Sequence, residues 1–189
     1  GDIVLVEGPT YLTALSAFNA YEPEIHSVPF DDEGMRMDLL EEELKRIGAK
    51  PYIVPAMGSH GGATAEGQRA ILDHYGITEE ACGCEIHATM ETKKVGVSAE
   101  GLDVRLDAFA LSCDIVPVAR IKPHTDFHGP FESGIMKMLA IGLGKQYGAS
   151  ICHMRGFDLM HINVPSFGRT ALKNCNIPFA IGLVENAFH

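Results

Sequence analysis

Short β-branched runs alternate with amphipathic stretches of helical period along this chain. That alternation restricts its fold more than any other feature. Residues 3–6 form an apolar run that ends at Glu7-Gly-Pro9, the pattern of a strand and a turn. Residues 11–21 place Leu12, Leu15 and Phe18 on one face of a helix. Residues 25–30 read as a second strand, 31–34 as a turn, and 39–47 as an amphipathic helix that Gly48 is suited to close. Residues 52–54 give a third strand, and 64–75 a helix with Thr64 as N-cap and Gly76 at its end. Residues 95–97 and 104–106 predict a hairpin around Glu100-Gly101, 114–119 a buried strand, 136–141 a helix and 178–184 a last strand. The expected class is α/β, with alternating strands and helices around a mostly parallel sheet.

Of the 189 residues, 46% are hydrophobic and 21% charged, which is enough to build a core. The net charge of −10 argues against a nucleic-acid partner and against an anionic membrane surface. It does not exclude a small anionic ligand, because a local site can oppose the global charge. Five scattered cysteines without a C-x-x-C pair fit free thiols in a reducing, cytoplasmic setting. No signal peptide or membrane-length apolar run is present. The chain begins without Met, and the expectation is a fragment of a longer protein.

Chemistry-bearing residues concentrate in four places. Gly58-Ser-His-Gly-Gly62 lies between a strand and a helix N-terminus, where converging N–H groups can meet an anion and where His60 sits at the tip. A tight turn with an exposed histidine explains the same residues. His124 and His128 stand four apart, but Pro123 and Gly129-Pro130 oppose the helix that would make them chelate a metal. His124, between Lys122 and Asp126, is the better acid–base candidate, and His128 reads as a surface residue. Lys137 sits in an apolar run, where a lysine snorkels, pairs or reacts. Gly142-Leu-Gly144-Lys145 is only a faint phosphate-loop pattern. Cys152-His153 and His161 follow.

Two family resemblances attach to these residues. From about residue 45 to 189 the chain resembles the nickel-pincer lactate racemases. The resemblance rests on residues 53–64, on Val118-Ala-Arg-Ile-Lys-Pro-His124, on residues 132–139 and on the later His153. It implies a cytosolic isomerase that racemises or epimerises a small anionic 2-hydroxy acid by hydride transfer to a nicotinate-derived, nickel-holding cofactor. His60 and His124 resemble the two acid–base histidines, Lys137 the cofactor anchor and His153 the nickel ligand. The spacing from His124 to Lys137 is longer than in lactate racemase. The family's substrate arginine and closing C-terminal domain have no counterpart in this sequence. A homo-oligomer is compatible with the resemblance.

Residues 1–45 resemble instead a fold-type I aminotransferase dependent on pyridoxal phosphate, through Gly1–Tyr11 and Val28-Pro-Phe-Asp-Asp-Glu-Gly-Met35. That segment carries no cofactor-binding lysine motif, so pyridoxal phosphate is not expected to bind there. The chain thus reads as a chimera: an aminotransferase-like strand–helix segment over 1–45 and a truncated racemase-like α/β domain over 46–189. The alternatives are a non-catalytic truncated or fused domain, or a pyridoxal phosphate-dependent aminotransferase-like protein.

Overall fold

The structure, a computed structural model, describes residues 3–8, 24–31, 34–154 and 156–184. The chain divides into two units, Gly1–Ile53 with Gly76–Ile86, and Val54–Tyr75 with His87–His189.

In the first unit, β1 (Ile3–Gly8) runs parallel to β2 (Glu24–Asp31), which turns back antiparallel onto β3 (Gly34–Met35). The helix expected over 39–47 forms as α1 (Met37–Arg46). Leu40 is buried on one face while Glu42, Lys45 and Arg46 face solvent. Gly48, at φ +86°, closes it in the left-handed conformation that glycine tolerates best. β4 (Tyr52–Ile53) pairs parallel with β5 (Glu85–Ile86), and α2 (Ala65–His74) and α3 (Glu79–Cys82) lie between them in sequence. Lys45 ion-pairs with Glu41 and donates to the Gly83 carbonyl at 3.2 Å, tying α1 to the end of α3.

The second unit holds α2, whose Thr64 N-cap accepts from the Gly67 N–H at 3.0 Å as expected. The predicted hairpin is β6 (Thr92–Val97) antiparallel to β7 (Asp103–Asp107), turning through Gly101 at φ +77°. β8 (Val118–Arg120) pairs parallel with β9 (Ile181–Leu183). A short α4 (Ile135–Lys137) runs into a π-helical turn, Met138–Gly142, closed by the Leu143 N–H on the Met138 carbonyl at 2.7 Å. Then come α5 (Lys145–Met154) and α6 (Met160–Asn174). One core cluster joins Val104, Phe127, Ala140, Cys152, Met160, Val164 and Phe167; a second joins Leu106, Ala110, Ile115, Leu139, Leu143 and Ala171.

The α/β class stands, but the described strands form four small sheets with both parallel and antiparallel pairs. The strand expected over 114–119 forms only at Val118–Arg120. Its first residues are held otherwise: Ile115 N–H donates to the Asn176 carbonyl at 2.9 Å and Asn176 Nδ2 to Asp114 at 2.5 Å. The helix expected over 11–21 lies outside the described residues. No helix among the described residues is long and apolar enough to cross a membrane.

The centre of the second unit is ionic. Lys145 and Asp107, both with fully buried side chains, pair at 3.2 Å. Lys145 Nζ also donates to the Pro55 carbonyl at 2.5 Å and to Gln68 Oε1 at 3.3 Å. Asp107 Oδ1 accepts from the Phe109 and Ala110 N–H groups, both at 2.9 Å. Lys145 holds φ +54°, a left-handed conformation that costs a side-chain-bearing residue roughly 1–2 kcal/mol. We predict that Lys145→Met, which strands the Asp107 carboxylate in the core, destabilises this unit by about 3–5 kcal/mol. The double variant Lys145→Met/Asp107→Leu should recover much of that loss. Denaturant titration of both variants checks the pair; equal losses in the two would contradict it.

Candidate functional site

The elements after β8 build the site. Lys122 bridges to Ser133 across an antiparallel contact, so residues 122–133 form a closed loop. Glu132 organises its interior. One carboxylate oxygen accepts from the His124 N–H at 2.7 Å; the other accepts from the Gly129 N–H at 3.2 Å and lies 3.3 Å from His128 Nδ1. These donors hold the Glu132 carboxyl below its ordinary range, the His124 N–H first among them. Phe127 is buried from the same loop, beneath the His124 ring at a centroid distance of 4.3 Å.

His124 Nδ1 accepts from the Asp126 N–H at 3.1 Å, which assigns the ring proton to Nε2 in the neutral form. Burial lowers the His124 pKa, and the nearby Lys137 charge lowers it further; Asp126 and Glu132 oppose both. Lys137 sits where α4 passes into the π-helical turn, a geometry frequent at functional sites. Its amine is lowered by burial first and by Lys122 second, with Asp126 opposing. Gly142 ends that turn because a Cβ there would lie 2.6 Å from the Ala56 carbonyl oxygen.

Of the four residues expected at one site, Lys137 and His153 lie within electrostatic reach of His124, and both lower its pKa. The exposed His153 ring, in the last turn of α5, packs edge-on against Phe157 at 5.3 Å. The exposed His60 ring joins them in no contact among the described residues. Its main chain is what the fold uses, since the His60 carbonyl accepts from Gln68 Nε2 at 3.4 Å.

The loop of residues 58–62, expected as an anion site, has part of its main chain engaged. The Gly58 N–H donates to the Gly142 carbonyl and the His60 N–H to Met57, and the Ala63 and Thr64 N–H groups bond back into the loop. Two of the loop's five N–H groups, those of Gly58 and His60, thus bond within the fold, one of them to the π-helical segment. Lys145, in the faint phosphate-loop pattern, is buried in its ion pair. Cys152 is fully buried, and burial pushes its thiol up to about 12. Sequence reasoning missed Glu132; its three-residue spacing from Gly129 was visible, but its main-chain partners exist only once the loop is closed.

No family model matches the chain. Aromatic-amino-acid aminotransferase 1 of Thermococcus litoralis is 49% identical over 75 residues, covering 36% of this chain and 18% of that protein. The 2-aminoadipate transaminase of Thermus thermophilus is 40% identical over 57 residues, covering 30% of this chain and 14% of that one. The crystal structure of the multiple substrate aminotransferase of Thermococcus profundus aligns at 34% identity over 46% of this chain and 22% of that chain, with a TM-score of 0.24, too low to support a fold argument. The chain thus spans less than a fifth of the length of either curated relative.

These similarities overturn the lactate racemase assignment. Both curated relatives are aminotransferases. With it fall the isomerase function on a 2-hydroxy acid, the nickel-pincer cofactor and the nickel-ligand role of His153. Among the described residues, no group of three or more His, Cys, Asp or Glu is placed to hold a metal ion. The expectation that pyridoxal phosphate is unlikely falls on the same similarities.

The loop generates a prediction with a definite sign. Folding lowers the Glu132 pKa from its ordinary 4.5, so the carboxylate's contribution is complete above that value and is lost as pH falls through the lowered one. The loop should loosen in acid and not in base. Glu132→Gln should speed amide hydrogen exchange at His124 and Gly129 severalfold at neutral pH, leaving the β6–β7 hairpin unchanged. Unchanged exchange at His124 would contradict the role given to Glu132.

Proposed function

We propose that this chain is an aminotransferase-like protein related to enzymes dependent on pyridoxal phosphate, and that Lys137 is the amine that would hold the cofactor. The aminotransferase similarity, 49% identity over 75 residues, carries the class. The state of Lys137 supports the assignment within it. A lysine that bonds to a carbonyl must present a neutral amine, and Lys137 is the partly buried lysine whose surroundings favour that form. Lys145 also has a lowered pKa, but its amine is fully enclosed by Asp107, Gln68 and Pro55.

The residues present fit the amine-binding half of the cofactor's needs. Bound pyridoxal phosphate supplies a carbonyl for the lysine and a ring that draws electrons from the reacting carbon. Around it, Lys137 would provide an amine whose pKa the fold lowers, His124 would hold a proton on Nε2 for donation, and Asp126 fixes the His124 tautomer through its main-chain N–H. Residues 58–62 are not offered as the phosphate cradle, because the Gly58 and His60 N–H groups are engaged within the fold. In this reading residues 1–45 carry the aminotransferase resemblance, and the five free cysteines suit a reducing cytoplasmic setting.

Incubation with pyridoxal phosphate, borohydride reduction and peptide mapping tests the proposal. The expected result is a single dominant adduct on Lys137 that disappears in Lys137→Arg. Lys50 is the internal control: its amine is held protonated, by its hydrogen bond to Tyr52 first and then by Glu85, and should label poorly. Labelling spread over Lys50 and Lys173 with none on Lys137 would overturn the proposal and favour a non-catalytic domain.

A further inference from the structure

The outer face of α6 carries a second feature that the site around Lys137 does not use. His161, Pro165, Arg169 and Lys173 follow one another at four-residue intervals, so they line a single strip of the helix. Two walls rise beside it. One is the turn of the β6–β7 hairpin, with Val97, Ala99 and Glu100; the other is Pro130–Phe131, leaving the loop that Glu132 organises. Together they enclose an open cavity of about 550 Å³, within the size range of small-molecule sites.

The walls are fixed. The Ala99 N–H donates to the Ser166 hydroxyl at 3.3 Å, clamping the hairpin turn to α6. Gly96 lets β6 approach the helix closely, since a Cβ there would lie 2.6 Å from Asn174 Nδ2 and 2.8 Å from Thr170 Cγ2. Gly129 does the same on the other side, where a Cβ would lie 2.8 Å from His161 Cβ.

The charge of the cavity runs against the chain. In a protein of net charge −10, Arg169 and Lys173 stand one helical turn apart with no carboxylate ion-paired to either among the described residues. Two like charges at this spacing repel each other, and an anion between them removes that cost. The Arg169 guanidinium lies 5.6 Å over the Phe131 ring, which orients its planar fork. Phe131, Val97 and Ile162 are exposed apolar surface beside the two cations. Glu100 is the acidic residue among the lining groups, on the hairpin side.

We propose that this cavity binds a small phosphate monoester with an apolar body, its phosphate on Arg169 and Lys173 and its body against Phe131 and Val97. Doubly charged phosphate matches two cations one turn apart, and the planar guanidinium suits two of its oxygens. The site is independent of the Lys137 assignment and stands whether or not that reading survives.

Calorimetry and NMR with phenyl phosphate test it on the whole chain. The expected result is saturable binding that perturbs the Phe131 ring and weakens as salt rises. Arg169→Ala and Lys173→Ala, both at exposed positions, should each weaken binding about tenfold, the ratio that one lost charge-assisted contact gives. Phe131→Ala should weaken phenyl phosphate but leave inorganic phosphate unchanged. Binding of phenol equal to that of phenyl phosphate, or affinity unaltered by both cation variants, would overturn the proposal. So would the absence of binding to the unaltered chain. Circular dichroism of each variant separates a lost site from a lost fold.

Discussion

The buried Lys145–Asp107 pair is the interaction on which the second unit depends. Its members come from the start of α5 and the end of β7, and Gln68 of α2 and the Pro55 carbonyl complete it. Gln68 passes the constraint on, donating from Nε2 to the Gly58 carbonyl at 2.9 Å. The Gly58 N–H in turn reaches the Gly142 carbonyl at the end of the π-helical turn. Burial of two opposite charges is poor evidence of net stability but strong evidence of specificity, because each is costly without the other. Here it sets the register of four separate segments around one point.

The functional loop hangs from that frame. Lys137 emerges at the junction of α4 and the π-helical turn, whose far end the Gly58 contact pins. The loop of residues 122–133 brings His124 to it, and the Glu132 carboxylate stabilises the loop from inside. Partial exclusion of water first and the Lys122 charge second lower the Lys137 pKa, against the opposing Asp126. Burial likewise lowers the His124 pKa.

Local pattern made much of this architecture legible. The first strands, α1, α2 with its Thr64 cap and the β6–β7 hairpin all follow from period and turn chemistry. Helices α5 and α6 did not. Pro165 and Gly168 inside α6 speak against a helix locally, yet Gly168 is required because a Cβ there would lie 2.5 Å from Met136 Sδ. Tertiary packing overrode propensity at both. In the same way His124, Lys137 and His153 were visible as chemistry-bearing residues, but Lys145 was hidden within a pattern that suggested phosphate. No local signal distinguishes a lysine that pairs in the core from one that reaches a ligand. The racemase resemblance, carried by several motifs between residues 53 and 153, is contradicted by relatives that are aminotransferases.

The central claim is that the fold lowers the Lys137 pKa while leaving the amine accessible. Competitive trace acetylation across a pH series, read lysine by lysine by mass spectrometry, measures this most directly. The account predicts that the Lys137 amine titrates below the ordinary 10.5 and that Lys50 titrates above it. Lys137→Arg should remove the early-titrating site and leave the profile of Lys50 unchanged. A Lys137 amine titrating at or above 10.5, or one that stays unlabelled at every pH, would contradict the account.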